Sequence, residues 1–171
     1  MDNRLTFVPL CAEDPASCAA FGRLMRLYAK ELDEHQKRAT PEPLIEKWTG
    51  SIIQALRGDR GRHLELCCDG EALIGFFYGK IDRPGHKGYI KAGYGYIMEF
   101  FVVSEQRRKG YGTEMYARLE TLLRQDGAAR LYLTADPVTG KPFWESLGFT
   151  GTGEKSPENK QEIYEKAIPI L

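Results

Sequence analysis

Glu99 is the only charge inside the most strand-like run of the chain, Tyr94-Gly95-Tyr96-Ile97-Met98-Glu99-Phe100-Phe101-Val102-Val103. A carboxyl group set among apolar and aromatic neighbours has a raised pKa. It can accept a proton directly or through a water. The same group could instead orient a substrate or pair with a cation without moving a proton, and residue type alone does not separate the two roles. Directly after this run comes Ser104-Glu105-Gln106-Arg107-Arg108-Lys109-Gly110-Tyr111-Gly112-Thr113, a basic turn ending in Gly-x-Gly. Gly110 and Gly112 allow backbone angles and close approach that a side chain would block. The N–H groups from Arg108 to Thr113 can then converge on one anion, and a helix starting there adds about half a positive charge. With Arg107, Arg108 and Lys109 beside them, these groups suit a pyrophosphate.

Other reactive side chains offer less. The four cysteines include the adjacent pair Cys67-Cys68, which suits neither a metal knuckle nor an ordinary disulfide. The three histidines, His35, His63 and His86, are scattered, so no metal site is expected. No acid or histidine is placed to activate a cysteine, and Cys67-Cys68 reads as core packing. The chain has 171 residues, 42% hydrophobic and 28% charged, and its formal net charge is zero. That is enough for one domain over residues 1–171 with a sizeable core. A balanced charge argues against nucleic acid or a membrane surface as partner. No apolar run approaches the roughly eighteen residues of a membrane span. A cytoplasmic protein with reduced thiols is expected.

The elements that must position Glu99 and the basic turn can be read from periodicity. Leu5 to Val8 reads as a strand closed by Pro9. Phe21, Leu24, Met25, Tyr28 and Leu32 have helical spacing over about Pro15 to His35. The acidic end of that helix, Glu31, Asp33 and Glu34, reads either as a solvated face or as a wall attracting a cation. Thr40-Pro41 reads as a helix start, with Thr40 as cap and Pro41 in the first helical position. Leu44, Trp48, Ile52, Ala55 and Leu56 form the stripe of that second helix. His63 to Cys68 and Ala72 to Ile81, joined by Asp69-Gly70, read as a hairpin. Arg83 to Gly88 is a loop before the Glu99 strand. Met115, Leu119, Leu122 and Leu123 define a helix after Gly112, ended at Asp126-Gly127. Arg130 to Thr134 is then a strand parallel to the Glu99 strand. Asp136 to Pro142 is a turn-rich loop in which Asp136 caps the next turn or helix. Pro142 to Leu147 is a short helix, Phe149 opens a strand, Gly151 to Asn159 is a mobile loop and Glu162 to Ile168 is the last strand. The order β-α-α-β-β-β-α-β-α-β-β specifies an α/β (α+β mixed) sheet protein with one βαβ crossover, distinct from a doubly wound fold.

Three phosphate sites compete for the turn. A P-loop needs G-x-x-x-x-G-K-[ST], which is absent. A dinucleotide fingerprint needs glycine where Met115 stands, and comes after the first strand of its fold. The third is the pyrophosphate of coenzyme A. Here the segment Met98 to Gly112 resembles the acyl-CoA signature of the GNAT superfamily of N-acetyltransferases, with its pattern [Q/R]-x-x-G-x-[G/A] met by Arg107, Gly110 and Gly112. Phe143-Trp144-Glu145-Ser146-Leu147-Gly148-Phe149, beyond the next strand, resembles that family's F-Y-E-x-x-G-F segment.

The resemblance implies a three-layer fold around a central mixed, mostly antiparallel six- to seven-stranded sheet, with strands 4 and 5 splayed at their ends. It implies acetyl-CoA as cosubstrate and no metal. The pantetheine arm would bond to backbone groups of Phe101, Val102 and Val103, and the pyrophosphate would sit on Arg107, Arg108, Lys109, Gly110, Tyr111, Gly112 and Thr113. The thioester would lie beside Glu99, the catalytic candidate, with Tyr94, Tyr96 and Trp144 at the acceptor. The acceptor would be a small-molecule or side-chain amine, with Glu31, Asp33, Glu34 and Glu99 tilting towards a cationic one. A monomer or homodimer is expected. Trp144 stands where much of the family has a tyrosine able to protonate the leaving sulfur, and indole N–H is not a usable acid. Tyr94, Tyr96, Tyr111 and Tyr132 are alternative hydroxyls. Two other readings remain: a non-catalytic acyl-CoA-binding domain, and a nucleotide-binding domain.

Overall fold

A computed structural model describes residues 4–138 and 140–169 of the chain; Thr139 of the expected Asp136–Pro142 loop lies outside them. The elements are β1 (Thr6–Pro9), α1 (Pro15–Gln36), α2 (Glu42–Gly58), β2 (His63–Asp69), β3 (Ala72–Ile81), β4 (Gly95–Val102), α3 (Tyr111–Gln125), β5 (Arg130–Thr134), α4 (Gly140–Ser146), β6 (Thr150–Lys155) and β7 (Glu162–Ala167), with a 3₁₀ turn at Ser104–Gln106. The strands hydrogen-bond in the order β1-β2-β3-β4-β5-β7-β6. The sheet is mixed: β4 and β5 pair in parallel, while β1–β2, β5–β7 and β6–β7 are antiparallel.

The chain forms two compact units. The first runs to Tyr78 and resumes over Glu99–Tyr116; the second takes Gly79–Met98 and continues from Ala117. In the first, β1 pairs with β2 through Phe7↔Cys67 and Val8↔Leu66. Pro9 belongs to the strand instead of closing it, opposite Glu65. An edge strand tolerates a residue with no N–H to donate. The α1 stripe puts Phe21, Leu24, Met25 and Ala29 in the core. Phe21 meets Phe76 of β3 edge-on, with ring centroids 5.1 Å apart.

The start of α2 differs from the sequence expectation. The helix begins at Glu42 with Pro41 as an N-cap that makes no side-chain bond. Thr40 turns to the other helix: its hydroxyl and its N–H both donate to the Asp33 carboxylate at 2.7 Å. The ionised Asp33 carboxylate is a stronger acceptor than a neutral oxygen, and it takes both donors that Thr40 has. Arg38 Nε also donates to Asp33 at 3.1 Å. The Thr40 bonds foremost, then Arg38, hold this carboxyl below its usual range. Asp33 is therefore part of the α1–α2 turn.

In the second unit β5 pairs with β7 from Arg130↔Ala167 to Thr134↔Ile163. Gly95 sits opposite Leu131, and Tyr96 opposite Tyr132, in the parallel β4–β5 register. A Cβ at Gly95 would lie 2.5 Å from Leu131 Cδ2, so that strand start requires glycine. The expected loop from Gly151 to Asn159 is half strand: β6 pairs with β7 at Thr150↔Glu165, Gly151↔Tyr164 and Lys155↔Glu162, with an irregularity between. Every β6 side chain is exposed, so no apolar alternation marks it. Backbone pairing and the Thr152 hydroxyl, donating to Ile163 O at 2.8 Å, hold it in place.

Gly75 of β3 fixes the position of β4 within the first unit. A Cβ there would lie 2.0 Å from the Phe101 carbonyl oxygen. Gly75→Ala is expected to cost more than about 3 kcal/mol or to prevent folding, because the obstacle is backbone and not a movable side chain. Gly50→Ala, in the α2 interior with nothing within 4 Å of the new methyl, should stabilise by about 0.5–1 kcal/mol. Urea unfolding of both variants measures the difference.

Candidate active site

The first unit brings Glu99 and the basic turn together with two side chains of α1. Glu99 is half-buried in β4. The Tyr28 hydroxyl donates to its Oε2 at 2.6 Å. The Tyr28 ring stacks on Phe101 at 5.1 Å and 26°, meets Phe76 edge-on at 6.0 Å, and lies 5.6 Å from Trp48 of α2. Burial among these rings pushes the Glu99 carboxyl up to about 7, while the Tyr28 bond pulls it down. Tyr78, fully buried in β3, also faces this charge, and its hydroxyl accepts from Arg62 Nη1 at 2.7 Å. The site thus holds a carboxyl group that changes charge near neutrality.

Tyr28 was legible in the sequence only as one more apolar position of the α1 stripe. Its hydroxyl gives it a second function there. A tyrosine at the half-buried rim of such a stripe, with a lone acid in a strand elsewhere, was the available signal.

The turn after β4 has the conformation its glycines suggest, with one unexpected member. Gly110 has φ +85°, and Arg108 adopts the left-handed region at +62°. The α3 helix begins at Tyr111 and so takes in Gly112, after which it was expected to start. A helix start leaves its first N–H groups, here Tyr111, Gly112 and Thr113, without intrahelical acceptors; Glu114 N already donates to Gly110 O at 3.2 Å. Arg108, Lys109 and Thr113 are exposed. Lys109 Nζ donates to Gln106 at 3.0 Å, and its carbonyl accepts from Arg4.

Arg107 faces inward. Its guanidinium forms a bidentate pair with Glu31 of α1, at 2.7 and 2.5 Å, and Nε donates to Val102 O at 3.0 Å. The side chain therefore ties the turn to β4 and α1, and its charge is neutralised. Glu31 is equally committed, so two of the three α1 acids have structural partners. Val103 N donates to Ile74 O at 2.8 Å. The Tyr111 ring is buried beneath Arg4 at 4.5 Å, and its hydroxyl donates to Asp69 at 2.5 Å. Asp69 foremost raises that hydroxyl's pKa.

The remaining candidates lie in the second unit. Tyr96 stacks on Tyr132 at 4.6 Å and 5°, and Tyr94 meets the same ring edge-on at 6.1 Å. The Tyr132 hydroxyl donates to Asp82, which is fully buried. Burial and Asp82 push that hydroxyl far above its normal range. Asp82 also takes the Lys91 N–H at 2.9 Å and pairs with buried Lys80 at 3.1 Å. Lys80 Nζ in turn lies 2.8 Å from His86 Nδ1. Sequence reasoning missed this network; a lysine and an aspartate two apart at the end of an apolar strand were its signal. Trp144 is buried against Phe143 and Phe149, at 4.9 and 5.3 Å. Asp136 takes a turn role, with Oδ1 accepting from Val138 N at 3.4 Å.

All four cysteines are free thiols. Burial raises the pKa of both Cys67 and Cys68, which makes them poor nucleophiles. Among the described residues no group of three or more His, Cys, Asp or Glu could hold a metal ion, and no helix is long and apolar enough to cross a membrane.

Residues 23–149 match the family model described as the acetyltransferase (GNAT) family. The chain belongs to that family. Its fold is shared with an acetyltransferase from Thermus thermophilus, at 18% identity and TM-score 0.74 over 97% of this chain and 98% of that one. It is shared also with the PaiA N-acetyltransferase of Thermoplasma acidophilum solved in complex with coenzyme A, at 17% identity and TM-score 0.69 over 96% and 99%. Tetrahymena GCN5 aligns at 15% identity and TM-score 0.70 over 97% and 98%. Comparison with curated protein sequences gives no significant match.

The Arg107–Glu31 pair is a partly buried, bidentate contact, with side chains 36% and 19% exposed. The Arg26–Glu42 pair is single-bonded and about half exposed on both sides, at 54% and 51%. Arg107→Ala should therefore lower unfolding free energy by about 1–3 kcal/mol, and Arg26→Ala should leave the urea midpoint essentially unchanged. Urea titration at 0.1 and 0.5 M salt reads both.

Proposed function

We propose that the protein transfers an acetyl group from acetyl-CoA to a primary amine by direct attack within a ternary complex. The observation that carries this reading is Glu99, a half-buried carboxyl pushed up to about 7, in the strand that leads into the glycine turn. The turn fits a pyrophosphate. Left-handed Arg108 and Gly110 open it, the first N–H groups of α3 are available, and Arg108 and Lys109 leave their cations in solvent. Phe101, Val102 and Val103 would flank the pantetheine arm, with Gly110 to Thr113 at the phosphates. Bound acetyl-CoA supplies the activated acyl group.

The chain's own residues supply the proton chemistry. An ammonium has no lone pair, so Glu99 removes its proton and leaves a neutral amine. Inert Cys67 and Cys68 argue for direct attack without an acyl-enzyme. A second reading, a non-catalytic acyl-CoA-binding domain, is favoured by Trp144, which offers no acid at the position where much of the family has a tyrosine. A monoamine with one cationic centre fits better than a polyamine, because Glu31 and Asp33 are already paired.

Steady release of free thiol from acetyl-CoA across a panel of small amines and a lysine peptide tests the catalytic reading. Coenzyme A binding with no thiol release on any amine supports the binding domain. Melting-temperature rises with ATP or NAD but not with acetyl-CoA would refute both. Glu99 accepts a proton only when ionised, so kcat should rise with pH and level off above about 7. Glu99→Gln should abolish that ascending limb and lower kcat by at least about a hundredfold, leaving acetyl-CoA affinity within about twofold. Lys109→Ala should weaken acetyl-CoA binding several-fold at low salt, and less at about 0.5 M.

A further inference from the structure

The geometry points to Tyr28 as the positioning residue for Glu99: its hydroxyl holds Oε2, so that Oε1 is the oxygen left to take the amine's proton. The inference rests on Glu99 as proton acceptor and goes beyond it by assigning a group on another element to its orientation.

The contact has the length of a charge-assisted bond. A tyrosine O–H donating to an ionised carboxylate settles at about 2.5–2.7 Å, and the Tyr28–Glu99 separation is 2.6 Å. The donor is fixed at its other end by the rings of Phe101, Phe76 and Trp48. A phenol locked in a ring cluster places its oxygen closely. The α1 helix is held in turn from both sides of this point. Leu24 and Met25, one turn earlier, are in the core. Glu31, three residues later on the same helical face, is clamped to Arg107. One helix face thus fixes both the orientation of Glu99 and the root of the basic turn.

The charged and titratable groups around Glu99 leave this role to Tyr28. From α1 it faces the Tyr28 hydroxyl. From β3 it faces Tyr78, whose hydroxyl accepts from Arg62, itself paired with Asp59 at 3.2 Å. The Arg107 guanidinium lies over the Phe101 ring at 5.8 Å and is neutralised by Glu31. The Tyr28 bond favours the ionised form of Glu99 and opposes the burial that disfavours it. The hydroxyl therefore keeps the carboxyl usable near neutral pH as well as oriented.

Tyr28→Phe removes the oxygen and keeps the ring, so the aromatic packing survives. The whole protein is labelled with ¹³C at glutamate side-chain carboxyls and titrated by NMR, with Glu99→Gln identifying the Glu99 signal. In Tyr28→Phe the Glu99 midpoint should move up by about one pH unit, and the ascending limb of kcat should move with it. Activity would fall about tenfold below the new midpoint and recover above it, with acetyl-CoA affinity unchanged. An unmoved NMR midpoint, or a loss of activity equal at every pH, overturns the role of Tyr28. The NMR readout needs no amine substrate, so a missing thiol release would count against the acetyltransferase reading alone. If Tyr28→Phe proves unstable, Tyr28→Trp, which keeps an N–H donor that cannot reach the same point, should give the same upward shift.

Discussion

A carboxyl group set among aromatic rings is the constraint that shapes the first unit. An ion in such surroundings costs several kcal/mol unless it is hydrogen-bonded or neutralised. Glu99 receives one short bond from Tyr28 and carries a pKa near neutrality, so it stands between the two solutions. That balance demands several things of the sequence. The α1 stripe must dock firmly enough to hold a phenol in register. Gly75 must let the Phe101 backbone approach β3. Phe76 and Phe101 must bury the group, and no more than a half-exposed rim can be left open to solvent. A carboxyl group more deeply buried would stay neutral and could accept nothing; one fully solvated would have its ordinary pKa and remove a proton from an ammonium poorly.

The second constraint is that the basic turn must be stiff before it can be cationic. The chain spends its first arginine on structure: Arg107 binds Glu31 and the Val102 carbonyl, and only Arg108 and Lys109 point to solvent. A bidentate guanidinium fixes two oxygens in a plane, which lysine could not do. The net effect is a turn that presents helix-start N–H groups and two exposed cationic side chains, Arg108 and Lys109. Arg4 extends the same principle from the opposite side, bonding the Lys109 carbonyl and covering Tyr111.

The strands and helices with strong periodicity were legible in the sequence almost to the residue. β3 and β5 coincide with their expected spans, and α1 and α4 differ at their ends by one or two residues. Such elements bury a face, and burial leaves a pattern. β6 buries no face and left none, so its glycines read as a loop. Thr40 failed for a different reason: cap signals are local, and the Asp33 carboxylate on the preceding helix takes the hydroxyl and the N–H of Thr40. At the site, Glu99 and the glycine turn were legible because each breaks a local rule. A charge in a strand and paired glycines at a helix start need explanation. Tyr28 breaks no rule, since a half-buried tyrosine is ordinary in a helix stripe. The Arg107–Glu31 pair joins positions far apart in sequence, and spacing carries no information about it.

The tyrosine hydroxyls bear on what Trp144 removes. Tyr28, Tyr111, Tyr132 and Tyr164 donate to Glu99, Asp69, Asp82 and Glu145 respectively. Such a bond favours keeping the proton: the pKa of Tyr164 is pushed up to about 12, chiefly by Glu145, and those of Tyr111 and Tyr132 also rise. A phenol held in this way is a poorer acid than one in water. On the proposed reaction, Tyr111, Tyr132 and Tyr164 are therefore poorly suited to supply the acid that the Trp144 indole lacks. For acyl transfer from a thioester the loss is tolerable. A thiol has a pKa of about 8.5 and departs as the anion far more readily than an alcohol. The amine is the partner that must lose a proton before it can react. On the proposed reaction, proton handling is thus concentrated on the amine, at Glu99, and the sulfur is left to its own acidity.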